Sequence, residues 1–314
     1  MLRKQAIRRK RARSREALRV ADGAFWLAFA FAVVLGGRPV AEGMPKLAAL
    51  FLPGFQAQAS VASPLSLWVA PEPEPAGPPP QLRLSGKPLI AIVIDDLGGD
   101  AAHTRRALAL PSEIALAFLP WPEATPALAR DAARKGHEVL VHVPMQATGS
   151  ASAGPNMLSP DLAPDENIRR LAWALARVPG FIGINNHEGS RFTAGRAALE
   201  PVMTYLAARH VFFFDSRTTA GTQVLPAARA HGVETGARDV FLDDEPTIDG
   251  VDAQLRALEA KARAQGVAIA IGHPHEITLD AVAYWAAHQP GFRLVTLKEA
   301  MRRKTEMSLT LADR

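Results

Sequence analysis

The 314 residues suffice for one large α/β domain with appendages, and the lack of cysteine excludes disulfides and thiolate metal ligands, leaving histidine and carboxylates as strong ligands. The formal charge of +5 is unevenly placed: nine arginines and lysines against Glu16 alone give the first twenty residues +8, so residues 21–314 sum to −3. A slightly acidic body carries no electrostatic footprint for nucleic acid, and no such partner is expected.

Residues 1–22 form the basic tail. The stretch 23–40 follows, with an uncharged apolar core from Gly23 to Gly37. That is close to the ~17 residues a spanning helix needs at minimum. Arginines on its N-terminal side fit a cytoplasmic start under the positive-inside rule. The expectation is an uncleaved single-pass anchor in the inner membrane, with the body in the periplasm. A cleaved signal peptide is the rival, since Ala57-Gln58-Ala59 resembles a cleavage site, but that site lies well past the apolar run. A buried core helix fits poorly between the basic tail and a proline-rich segment. Residues 41–86 read as that linker, extended through Pro71-Glu72-Pro73-Glu74-Pro75 and Pro78–Pro80.

The folded domain is expected over 87–314. Apolar runs at Leu89–Ile94, Ile114–Leu119, Val139–Val141, Phe181–Ile184, Val211–Phe214, Val240–Leu242, Val267–Ile271 and Phe292–Val295 read as strands. Helical patterns alternate with them at Asp100–Leu110, Glu123–Lys135, Asp165–Val178, Gly195–Arg209, Ile248–Gln265 and Leu279–His288. Seven or eight mostly parallel strands in this alternation imply a (β/α) barrel-like sheet.

Five of the runs end on groups able to bind metal or move protons: Asp95-Asp96, His142, Asn185-Asn186-His187, Asp215 and His273. Parallel strands share one carboxyl rim, where α/β enzymes build their sites. Neighbouring residues on a strand face opposite ways, but a turn at the strand end lets both carboxylates of Asp95-Asp96 face the rim, one for a cation and one as a base. The bland alternative is that Asp96 or Asp100 caps the next helix. His142 alone would pass for a satisfied core histidine, and Pro144 is expected to stop its strand. Asn185-Asn186 and Asp215-Ser216-Arg217-Thr218 fit turns or caps as well as a site. Asp243-Asp244-Glu245 reads as a solvated acidic loop that could also meet a cation.

Residues 87–303 resemble the divergent polysaccharide deacetylases of bacterial envelopes, distant relatives of the NodB-type carbohydrate esterases. Asp95-Asp96 is similar to the first motif, and Gly136-His137-Glu138 leading to His142 resembles the second. The run Gly183-Ile184-Asn185-Asn186-His187-Glu188-Gly189-Ser190-Arg191-Phe192-Thr193 resembles a signature of the divergent branch. Phe214-Asp215-Ser216 and Ile271-Gly272-His273-Pro274 are similar to later motifs. One departure stands out: the second motif of ordinary members has a second metal-binding histidine, and here that position is Gln146.

The resemblance implies metal-dependent removal of N-acetyl groups from an envelope polysaccharide, peptidoglycan being the guess from location. Asp96, His142 and, in place of the missing histidine, His187 are the expected ligands of Zn²⁺ or a similar divalent transition metal, with an open position for water. Asp95 is the expected base and His273 the acid. Asn186, Ser216, Arg217 and Asp215 are expected to bind the sugar or the oxyanion. Gln146 also supports a different reading, a glycan-binding or scaffolding protein that kept the fold without the chemistry.

Overall fold

The computed structural model describes residues 86–149 and 152–312. The basic tail, the anchor at 23–40 and all of the linker but Gly86 lie outside them. Among the described residues no helix is long and apolar enough to cross a membrane.

Nine strands form one sheet in which every pairing is parallel. They are β1 (Leu89–Leu97), β2 (Ala115–Phe118), β3 (Val139–Met145), β4 (Phe181–Glu188), β5 (Phe212–Asp215), β6 (Thr235–Ala237), β7 (Val240–Phe241), β8 (Val267–Gly272) and β9 (Arg293–Leu294). The order is β6-β5-β4-β3-β2-β1-β8-β7, with β9 beside the start of β1. The two ends of that path, β6 and β7, are consecutive in the chain. Between them Arg238 N donates to Asp215 O and Asp239 N to Ile269 O. One kinked segment therefore bridges β5 to β8, and the sheet is barrel-like, as the alternating pattern implied.

Helices cover the outside: α1 (Ala101–Ala107), α2 (Thr125–Arg134), α3 (Pro164–Arg177), α4 (Arg196–Ala207), α5 (Val224–Ala230), α6 (Ile248–Gln265), α7 (Glu276–Ala287) and α8 (Leu297–Ala312). Two of these, α5 and α8, were not legible in the sequence. Strand β3 also runs through Pro144 to Met145 rather than stopping there, pairing with β4 along its whole length. The Pro144 carbonyl still accepts, from Leu158 N.

The period-2 alternation of the strands sorts the core into two layers. Ile90, Ile92, Ile94, Val139, Val141 and Phe213 pack outward against the helices. Ala91, Val93, Ala115, Ala117, Leu140, Phe212, Phe214, Ile269 and Ile271 fill the interior, joined by Leu297, Ala300 and Met301 of α8. Small alanines on β1 and β2 leave room for the phenylalanines of β5. Gly236 lies against the Met301 side chain, where a Cβ would collide with it. Helix α8 thus closes the interior from the start of the strands, and the carboxyl ends are left to carry the polar groups.

Candidate metal centre and active site

Extending the inward face of each strand to its carboxyl end turns aliphatic residues into reactive ones. On β1 the inward series Ala91, Val93 continues to Asp95; beyond Leu140 on β3 lies His142. On β4, Gly183 leads to Asn185 and His187, while Phe212 and Phe214 of β5 lead to Ser216. Past Ile269 and Ile271 of β8 comes His273. Asp96 should then point outward. It does not, because its φ of 57° places it in the left-handed region, and the β1–β2 register shifts between Ile94 and Leu97. This local kink, uncommon for a residue other than glycine, brings both carboxylates to the rim. Glu188 and Arg217, at the ends of β4 and β5, share that conformation with φ of 53° and 52°. Asp100, not Asp96, caps α1, accepting from Ala102 N at 2.7 Å and His103 N at 2.9 Å.

Asp96, His142 and His187 each offer a ligand atom, and the three atoms lie within 4.8 Å of one another. Asp96 Oδ1 is 3.1 Å from His142 Nε2 and 2.9 Å from His187 Nδ1. Neither approach has hydrogen-bond geometry, so this buried oxygen meets the two imidazoles as charges but has no hydrogen-bond partner. An orphaned carboxylate oxygen facing two imidazole nitrogens fits a cation better than it fits a hydrogen-bond network. Burial opposes ionisation of Asp96, but His142 and His187 outweigh it and hold the carboxyl far below its ordinary range. Burial likewise works against a charged His142, yet Asp95 and Asp96 prevail and raise it to about 9. Without a metal, then, this ring holds a proton that a cation has to displace.

Asp95 stands beside the three, its Oδ2 3.6 Å from His142 Nε2. Burial pushes its carboxyl up, against the pull of His142 and His273. On the other side, His273 Nε2 is 3.9 Å from Asp96 Oδ2. Burial would lower His273, but the Asp243 carboxylate, 2.9 Å from Nδ1, together with Asp95 and Asp96, outweighs it and keeps the imidazole raised. Asp243 also accepts from His273 N at 2.6 Å and Thr278 Oγ1 at 2.8 Å. The expectation of a solvated acidic loop is therefore corrected at Asp243, which is buried. Its place two residues beyond Phe241, on the same face, was the available signal.

These groups open into a cleft of about 830 Å³, within the usual range for ligand sites of ~300–1,000 Å³. Ser216 and Arg217 line it. Asn186 lines it too, but its amide is committed to the rim, donating to Glu188 O at 2.7 Å and accepting from Ser216 N at 3.0 Å. Asp215 is a correction: it faces away from the cleft, fully buried, accepting from Arg217 N and Thr222 Oγ1. Being one residue off the inward series of β5 puts it on the other face. Arg238 was missed. It lines the cleft with its guanidinium fixed by Ser216 O and Arg217 O, at 2.8 and 3.0 Å. Trp121 was missed as well, packing edge-on to His187 with centroids 5.8 Å apart.

Gln146 turns aside from this centre. Its Oε1 accepts from Ser159 Oγ at 2.7 Å and Arg191 Nη1 at 2.8 Å, and Arg191 also pairs with Asp161.

Fold and site together define a parallel α/β barrel-like protein with an Asp-His-His centre at its carboxyl rim. The chain belongs to the divergent polysaccharide deacetylase family, whose profile matches residues 92–301. It is 39% identical over 196 residues to the uncharacterized protein YibQ of Escherichia coli, a match spanning 62% of this chain and 61% of that protein. An uncharacterized protein of Haemophilus influenzae is 35% identical over 60% of this chain and 68% of its own length. Among solved structures, an uncharacterized protein from Agrobacterium tumefaciens is similar, with a TM-score of 0.66 and 30% identity, covering 68% of this chain and 89% of that one.

Proposed function

We propose that the protein removes N-acetyl groups from a cell-envelope polysaccharide in a metal-dependent hydrolysis. The observation that carries this reading is the convergence of Asp96, His142 and His187 within 4.8 Å, flanked by Asp95 and His273 in one cleft. Two imidazoles and one carboxylate suit Zn²⁺ or a similar transition ion over the hard, all-oxygen cations. Such an ion, when bound, polarises an amide carbonyl and acidifies water.

The chain's own groups divide the proton work. Asp95, with its carboxyl raised by burial, accepts the proton of the attacking water. His273, its proton affinity raised by Asp243 and the neighbouring acids, delivers a proton to the leaving amine as the C–N bond breaks, leaving acetate and a free amino sugar. Ser216, Arg217 and Arg238 on the β5–β6 side are placed to hold the sugar. The basic tail and apolar stretch support an inner-membrane anchor with the domain in the periplasm, where peptidoglycan is the available glycan.

The test is Asp95→Asn in the zinc-loaded full chain, following acetate release from N-acetylglucosamine oligomers. Turnover is expected to fall by about 10²–10⁴-fold with zinc content unchanged; hydrolysis at the native rate would remove Asp95 as the base. The non-catalytic glycan binder rested on Gln146. With that side chain engaged by Ser159 and Arg191, the binder reading gains support only if the purified chain takes up no zinc.

A further inference from the structure

Asn185 is fully buried at the centre of the site. Its amide lies 2.8 Å from His142 Nδ1, 2.8 Å from Asp95 Oδ1 and 3.2 Å from Ser216 Oγ. Hydrogen-bonding capacity fixes the direction of each contact. The amide NH₂ faces Asp95 Oδ1 and donates to it, its second hydrogen reaching Ser216 Oγ. The amide oxygen is left for His142 Nδ1, which must therefore carry a hydrogen. The proton that a cation displaces is therefore the one on the opposite ring nitrogen, Nε2, the atom 3.1 Å from Asp96 Oδ1.

We propose that Asn185 is a positioning residue that ties a metal ligand to the base: one amide fixes His142 as the Nδ1–H tautomer, with Nε2 as the donor to the cation, and the same amide holds the Asp95 carboxylate in place. The part concerning Asp95 as a base rests on the deacetylase reading; the part concerning His142 does not. Side-chain chemistry restricts this role. Aspartate would set a second carboxylate against Asp95, glutamine is one methylene too long for the closed triangle, and an apolar residue would leave both partners unmet in a buried space. Asn186 has the same amide, but Glu188 O and Ser216 N already hold it at the rim.

Two measurements on the full chain test the proposal. In protein labelled with ring-¹⁵N histidine and loaded with ¹¹³Cd, coupling is expected between the metal and His142 Nε2, with the proton on Nδ1; coupling through Nδ1 would overturn the assignment. For Asn185→Leu, zinc affinity measured against a chromophoric chelator is expected to weaken by about 10–100-fold, as for other partners that orient a ligating histidine. Native zinc affinity in that variant would also overturn it. At saturating zinc, kcat on N-acetylglucosamine oligomers is expected to fall with KM unchanged, and an unchanged kcat refutes the link to Asp95. Should the variant not fold, the cadmium spectrum of the native chain decides. If the native chain binds zinc but releases no acetate, the deacetylase reading fails, and the spectrum and affinities still judge the role at His142.

Discussion

Asp95 and Asp96 are adjacent in sequence and opposite in condition. Burial raises the first carboxyl, while two imidazoles depress the second despite burial. That divergence, which lets one serve as base and the other as ligand, is created by the left-handed backbone at Asp96. His273 depends on a similar partnership. Replacing Asp243 with asparagine keeps a polar partner for Nδ1 but removes the charge that holds the imidazole raised. The His273 pKa is then expected to drop, so the alkaline limb of the kcat–pH profile moves to lower pH, and activity near neutrality falls by no more than the ~10²–10⁴-fold that a general acid supplies. An unmoved limb would show that Asp243 does not tune His273. At this scale the sequence revealed residue types at strand ends, which was enough to bring Asp96, His142 and His187 together. It did not separate the two faces of a strand. Counting in twos from the interior alanines and phenylalanines selects Asn185 and Ser216 over Asn186 and Asp215, and finds Asp243 from Phe241. Asp96 breaks that count through a left-handed kink that no neighbouring residue type announces, and Arg217 breaks it in the same way.

The elements that carry the site were the legible ones, because long apolar runs must be buried on both faces. Strands β6 and β7 are three and two residues long and pair with opposite ends of the sheet, a relation no local pattern encodes. Helix α8 follows the last strand with a mostly polar surface, and its purpose as an interior plug depends on Leu297, Ala300 and Met301 meeting strands far earlier in the chain. Strand β4 shows how tightly the interior is fitted. A Cβ at Gly183 would overlap the ring of Phe212, itself buried on β5. Gly183→Ala is expected to cost about 1–3 kcal/mol, the usual range for overpacking, measured as a lower midpoint in urea. Because Asn185 and His187 lie further along the same face, the variant should also lose zinc affinity. Native stability would mean that Phe212 can swing aside.

The whole molecule gathers two acids and three imidazoles in a confined space, so its stability depends on pH differently with and without metal. In the metal-free protein His142 is raised to about 9 from the ordinary 6.5. A raised imidazole stabilises the fold fully below the unfolded value, and that contribution disappears as pH climbs through the folded one. Asp96 is depressed, so its contribution holds above the usual carboxylate range and is lost as pH falls. Asp95, raised by burial, loses its contribution as pH rises through its folded value, in the same sense as His142. The chelated protein should therefore be most stable in mildly acidic solution and weaken between roughly pH 6.5 and 9. A cation reverses the last trend, since it binds the deprotonated ring and its affinity rises with pH by up to about tenfold per unit while a proton must be displaced. Because a ligand that binds only the folded state stabilises it by an amount that grows with the logarithm of its affinity, the gap in Tm between zinc-loaded and chelated protein is expected to widen from pH 6 to pH 8. A gap that stays constant or narrows across that range would mean that the metal does not replace a proton at His142, and that its ligands lie elsewhere.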